Sequence, residues 1–235
     1  MNVFKSPTSL LREIEAMLSQ FWWNHNNSAK SIHWRSWERL GKMKDKGGLG
    51  FGSLTSFNRA LLAKQVWRLL QDPSSLVSQV VKHKYFQNCE LLESKIGSSP
   101  SHIWRRIWSS IDLVKVGSVW RVGNGEIIKM WHDRWLPIPS TYKVLTLVPV
   151  LDTNARVAAL INEEKYEWNT ELTKEVFSAE DAQLICSLLI SQRGAKDNLI
   201  WVKSSKGMFN VKSAYFVDLE NKRQNQGQSS NESVE

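Results

Sequence analysis

Chemistry on a phosphodiester or a nucleotide usually needs carboxylates gathered around metal ions, or a histidine paired with a carboxylate. The 235 residues spell out neither arrangement. Asp45, Asp72, Asp112, Asp133, Asp152, Asp181, Asp197 and Asp218 are scattered, with no adjacent Asp-Asp pair. His25, His33, His83, His102 and His132 form neither HExxH nor HxxxH. His132 and Asp133 are neighbours, but on a strand their side chains would point to opposite faces. Cys89 and Cys186 stand far apart without a CxxC pair, so zinc sites built on paired cysteines and disulfide frameworks are both excluded. The tract KMKDKGGLGFGSL (42–54) is a lysine-flanked glycine run of the kind that can cradle a phosphate. It fits neither GxxxxGK[ST] nor GxGxxG, and a turn leading into a helix is the better reading. The expectation is a chain with no catalytic residue, metal site or cofactor of its own.

Charge is the stronger signal. The net charge is +8, with +11 in residues 1–150 and −3 in residues 151–235. A basic region favours an acidic partner such as nucleic acid (RNA or DNA) or an anionic membrane face. The 12 tryptophans add stacking surface, although a ring that large belongs in cores and junctions far more often than on bases. The cations predicted to meet nucleic acid are Lys42, Lys44, Lys46, Arg59, Lys82, Lys84, Arg105 and Arg106. The ordinary alternative is that they solvate helix faces.

These residues need elements to position them. Leu10, Ile14, Met17, Leu18 and Phe21 predict an amphipathic helix over 8–23, capped by Thr8 or Ser9. A short helix is predicted at 31–40. The clearest helix runs over 53–72, with Ser53 as cap and a stripe of Leu54, Phe57, Ala60, Leu61, Trp67 and Leu70. Arg59 and Arg68 are expected towards solvent. Helices over 75–85 and 101–116 follow. Asn-Gly at 124–125 predicts a hairpin over 118–133, and a second hairpin is expected over 198–211. Short helices fill 155–192, with Ser178 as a cap, and VKSAYFVDLE begins another.

The fold class is therefore mainly α (α+β), a helical bundle with two small antiparallel hairpins and a disordered C-terminal tail. No apolar run nears the ~18–20 residues of a membrane span, and the charged N-terminal stretch argues against a secretory signal. Neither a membrane nor a small-molecule substrate is expected as partner. The domain reading is a basic helical region (1–116), a hairpin with short helices (117–195), a short segment (196–220) and a polar tail (221–235).

Several blocks resemble plant non-LTR (LINE-type) retrotransposon reverse transcriptase polyproteins. They are FWWN (21–24), IHWRSWERL (32–40), KGGLGFGSLTSFNRALLAKQVWRLL (46–70), HKYF (83–86), SSPSHIWRRIW (98–108), WRVGNGEIIKMWHDRWLP (120–137) and GMFNVKSAY (207–215). Many members carry ribonuclease H-like or reverse-transcriptase zinc-binding names. Asp197, Trp201, Gly207 and Val211 to Tyr215 are similar to the opening of that family's zinc-binding domain. The resemblance implies a connector between the polymerase and the zinc-binding domain, with segment 196–220 a truncated start of the latter. The polymerase aspartates lie upstream in the family, and the zinc ligands expected after VKSAY do not follow here. The function so implied is non-catalytic and nucleic-acid associated. Two alternatives remain. One is a structural or protein-interaction remnant, with Trp22, Trp23, Tyr215 and Phe216 as apolar patches. The other is a part of an RNA-directed DNA polymerase that is active only in a longer protein.

Overall fold

The protein is described by a computed structural model covering residues 6–23, 41, 52–138, 141–146, 151–162, 165–190 and 194–231. The chain divides into two compact units, one formed by Met1–Val116 with Phe209–Glu235, the other by Gly117–Met208. The segment read as 196–220 is thus shared between them.

The first unit is helical. It comprises α1 (Thr8–Trp23), α2 (Leu54–Gln71), α3 (Leu76–Tyr85), α4 (His102–Trp108), the part of α5 (Ile111–Gly117) up to Val116, and α8 (Val211–Asn231). Serine hydroxyls cap three of these helices, because an orphan N–H of the first turn needs an acceptor. Ser53 Oγ accepts from Ser56, Ser75 Oγ from Ser78, and Ser101 Oγ from Trp104. The N-terminus of α2 gains two further acceptors from distant sequence. Glu15 of α1 accepts the Leu54 N–H at 2.8 Å, and the Tyr215 hydroxyl of α8 accepts the Ser53 N–H at 3.0 Å.

The stripe predicted for α2 is displaced. Ser56, Asn58, Ala60, Leu62, Ala63, Val66, Trp67 and Leu69 are buried, while Phe57 is exposed. The polar members are tolerated because they are bonded: Asn58 Oδ1 accepts from the Ser6 N–H, and Ser56 Oγ from Lys222 Nζ at 2.8 Å. α8 closes this core, with Phe209 just ahead of it stacked on Trp67 and with Ala214 and Val217 buried. The helix predicted over 101–116 is broken at Ser109–Ser110, where the Ser109 hydroxyl bonds the Arg106 carbonyl and competes with the helix ladder. The helix begun at VKSAY runs to Asn231. The helix predicted at 31–40 lies outside the described residues.

The second unit carries β1 (Ser118–Arg121), β2 (Ile161–Asn162), β3 (Glu167–Trp168), α6 (Thr170–Val176), α7 (Ala179–Ser187) and β4 (Asn198–Trp201). The mainly helical class with two small antiparallel sheets is as the sequence implied, but the strands pair differently. β1 pairs with β4, Ser118 opposite Trp201 and Arg121 opposite Asn198, and β2 pairs with β3. No hairpin forms over 118–133 or over 198–211. The Asn-Gly turn instead closes on Asp197. One carboxylate oxygen accepts the N–H groups of Gly123 and Gly125, each at 2.8 Å, and the other accepts that of Ile127 at 2.9 Å. Gly125 sits at φ +74°, and a Cβ there would meet the Ala158 nitrogen at 2.4 Å. A Cβ on Gly123 would meet the Ala195 carbonyl at 2.2 Å.

The core of this unit gathers Ile128, Met130, Trp135, Leu136, Val157, Leu160, Val176, Phe177 and Ile185. Its tryptophans sit at junctions with their indole N–H groups bonded, Trp135 to the Met130 carbonyl and Trp168 to that of Leu188. Asp181 is buried after the Ser178 cap and accepts from the Leu145 and Thr146 N–H groups and the Thr146 hydroxyl.

Candidate nucleic-acid interface

Each buried aspartate is committed to the fold. Asp181 and Asp197 hold backbone N–H groups, and Asp218 holds two cations. Asp133 accepts the Lys129 N–H, and its neighbour His132 is exposed. Among the described residues no group of three or more His, Cys, Asp or Glu side chains could hold a metal ion, and no helix is long and apolar enough to cross a membrane.

The predicted cations separate into three classes. Lys42, Lys44 and Lys46 lie outside the described residues. Arg59 does not face solvent freely: its Nη1 lies 2.6 Å from the fully buried Asp218 Oδ1, and Lys222 stands 2.8 Å from the other oxygen. Its charge is spent inside the unit. Lys82, Lys84 and Arg105 are exposed, and Arg106 is half-buried.

These last residues share a setting built by α3 and α4. Lys82, His83 and Lys84 occupy the last turn of α3, where positive charge suits the helix dipole. The next residue, Tyr85, stacks on Trp104 of α4 with ring centroids 4.7 Å apart and planes 6° from parallel. Phe86 lies on the same indole at 5.9 Å. The Tyr85 hydroxyl accepts the Ser101 N–H at 3.2 Å, which fixes α3 to the start of α4. The Ser101 side chain, against the opposing effect of burial and with help from that backbone bond and from Lys84, holds the Tyr85 phenol below its ordinary pKa. Trp104 is buried, and removing its 150–250 Å² from water contributes about 4–6 kcal/mol before entropy is counted. Lys84 and Arg105 are thus chain neighbours of the two members of one rigid stack. Beside them an open groove runs along α3, lined by Leu76, Gln79, Val80, His83, Lys84 and Gln87.

Sequence spacing shows the basic-aromatic cluster at 82–86 but not its partner. The Tyr85–Trp104 stack joins residues with no periodic relation to one another, and the Ser-Pro-Ser tract before α4 is the one local hint that a capped helix begins there. The apolar patches fare unevenly. Phe21 is 81% exposed and Trp22 40%, whereas Trp23, Tyr215 and Phe216 are half-buried.

Over 144 residues the chain is 35% identical to the uncharacterized mitochondrial protein AtMg00310 of Arabidopsis thaliana, covering 94% of that protein and 59% of this chain. The chain belongs to the family of AtMg00310. The chain is also 30% identical over 221 residues to an Arabidopsis thaliana protein named "Putative ribonuclease H protein At1g65750". That match takes in 92% of this chain but only 35% of the longer protein, so the chain spans about a third of it. No protein-family model matches the chain. No solved structure matches it.

Proposed function

We propose that the chain is a non-catalytic, nucleic-acid-associated module derived from the reverse transcriptase of a plant non-LTR retrotransposon. The observation that carries this reading is the exposed set Lys82, Lys84 and Arg105 set around the Tyr85–Trp104 stack. Phosphate contacts need exposed cations held on a firm support, and the stack supplies that support. The name of the longer ribonuclease H relative agrees with a nucleic-acid setting. The tract from Asp197 to Tyr215 serves here as a folding signature rather than a metal centre. Asp197 ties the Gly123–Ile127 loop, and Tyr215 caps α2. A polymerase activity belongs, on this reading, to a longer protein.

The test is fluorescence anisotropy of a labelled single-stranded RNA titrated with the full chain at two salt concentrations. Affinity is expected to fall steeply with salt. The variant K82E/K84E/R105E should bind about tenfold more weakly and lose roughly 2 from the log–log salt slope, at about 0.7 per phosphate contact. No binding at low salt by folded protein overturns the proposal.

A second reading, a protein-interaction surface, is favoured by α1. Leu10, Met17, Leu18 and Phe21 recur at helical spacing and are all exposed. Self-association indifferent to salt, without RNA binding, would support that reading instead.

A further inference from the structure

The second unit holds a cleft of about 390 Å³, within the size range of small-ligand sites. Its lining includes the buried apolar residues Val119, Leu136 and Trp201. Its walls include Trp120, Trp135 and Tyr142. Two charged residues line it, Arg121 and Lys206, and both are exposed; no carboxylate lines it. Ser204 and Ser205 add hydroxyls beside Lys206. Flat aromatic surface, cations and hydroxyls without an acid are complementary to a planar ring carrying a phosphate.

One wall is unusually fixed. Tyr142 sits at φ +57°, a left-handed conformation that costs a bulky residue about 1–3 kcal/mol. The fold holds it there by three backbone bonds. The Tyr142 carbonyl accepts from the Trp135 and Leu136 N–H groups at 2.7 and 3.1 Å, and its own N–H donates to the Ile138 carbonyl at 2.8 Å. The Arg134 guanidinium lies 4.8 Å from the Tyr142 ring centroid. Burial lowers the Arg134 pKa, and the ring's partial negative face compensates the charge. The backbone of Tyr142 is thereby held in place, with the Arg134 guanidinium against its ring.

We propose that this cleft takes one nucleotide of a single-stranded nucleic acid, its base against Tyr142 and its phosphate at Arg121 and Lys206. The proposal rests on the nucleic-acid reading above and gives it a second contact, in a different unit from Lys82, Lys84 and Arg105. Stacking on an aromatic wall is tolerant of base identity, so the site would hold the strand rather than read its sequence.

The experiment uses the full chain and an oligouridylate of eight residues carrying 4-thiouridine. After irradiation, crosslinked peptides are mapped by mass spectrometry, and affinity is measured for wild type, R121E/K206E and K82E/K84E/R105E. Adducts on Tyr142, with about a five- to tenfold weaker affinity for R121E/K206E at low salt, are expected. Both substituted side chains are exposed, and circular dichroism checks that the variant is folded. Adducts confined to 76–108, with R121E/K206E binding like wild type, overturn the cleft and leave the α3–α4 interface standing. Absence of binding by folded wild-type chain overturns both.

Discussion

Arg59 Nη1 lies 2.6 Å from Asp218 Oδ1, joining α2 to α8 across 159 residues of chain. Lys222, one turn further along α8, approaches the second oxygen of the same carboxylate and donates to Ser56 of α2. A fully buried carboxylate thus finds two cations, which is what its desolvation demands. The pairing also takes Arg59 out of the set available to an outside phosphate.

Asp218→Ala removes the acceptor and leaves Arg59 and Lys222 facing one another. Breaking a buried pair costs about 3–5 kcal/mol. Both cations keep partial solvent contact, so we expect about 2–4 kcal/mol here, measured by urea unfolding of the full chain. Arg59→Ala should cost less, and it should leave the salt dependence of RNA binding unchanged.

Tyr215→Phe deletes the acceptor for the Ser53 N–H and should destabilise by about 0.5–1.5 kcal/mol at neutral pH. It should also alter the alkaline limb. Burial raises the Tyr215 pKa, opposed by the bond from Ser53, and nearby Glu15 raises it further. The neutral phenol is therefore favoured in the folded chain. Its contribution is complete below the unfolded value near 10.0 and is lost as pH rises through the higher folded value. Melting temperature from pH 8 to 11 should fall less steeply above pH 10 in the variant than in the parent.

Helix starts were largely legible in the sequence. Ser53 and Ser178 stand where a hydroxyl precedes an apolar rhythm, and each caps a helix. What local pattern could not carry is partner choice over distance. Asn124-Gly125 between alternating apolar residues reads as a hairpin, yet β1 takes its partner from Asn198–Trp201. The two glycines serve a different need, the close approach of backbone N–H groups to Asp197. The buried face of α2 departs from the predicted stripe for a related reason. Asn58 and Ser56 look like surface residues until Ser6 and Lys222 arrive to bond them. Lys82, Lys84 and Arg105 are exposed, as residues at a helix end and on a short amphipathic helix commonly are.

Asp197→Ala leaves three N–H groups of the 123–127 loop without their acceptor. We expect a loss of about 2–4 kcal/mol, from roughly 1–2 kcal/mol for each charge-assisted bond less what water restores. Hydrogen exchange read by mass spectrometry should quicken over 118–130 and 155–160, with α2 and α8 keeping their protection. Asp197→Asn should recover part of the loss, since the amide oxygen still accepts.

The chain leaves the first unit at Val116 and returns to it at Phe209. This order has a consequence at the ribosome. Every residue of the second unit emerges before the first unit has its last helix, so the domain begun first is finished last. Until α8 is released, the face of α2 around Trp67 and Arg59 waits uncovered, holding an apolar ring and a cation whose counterion has not yet been synthesised. Nascent chains stalled before residue 209 should therefore bind trigger-type holdases that release them once α8 is made, and a premature stop in that interval should yield an aggregating product although the inserted unit is complete.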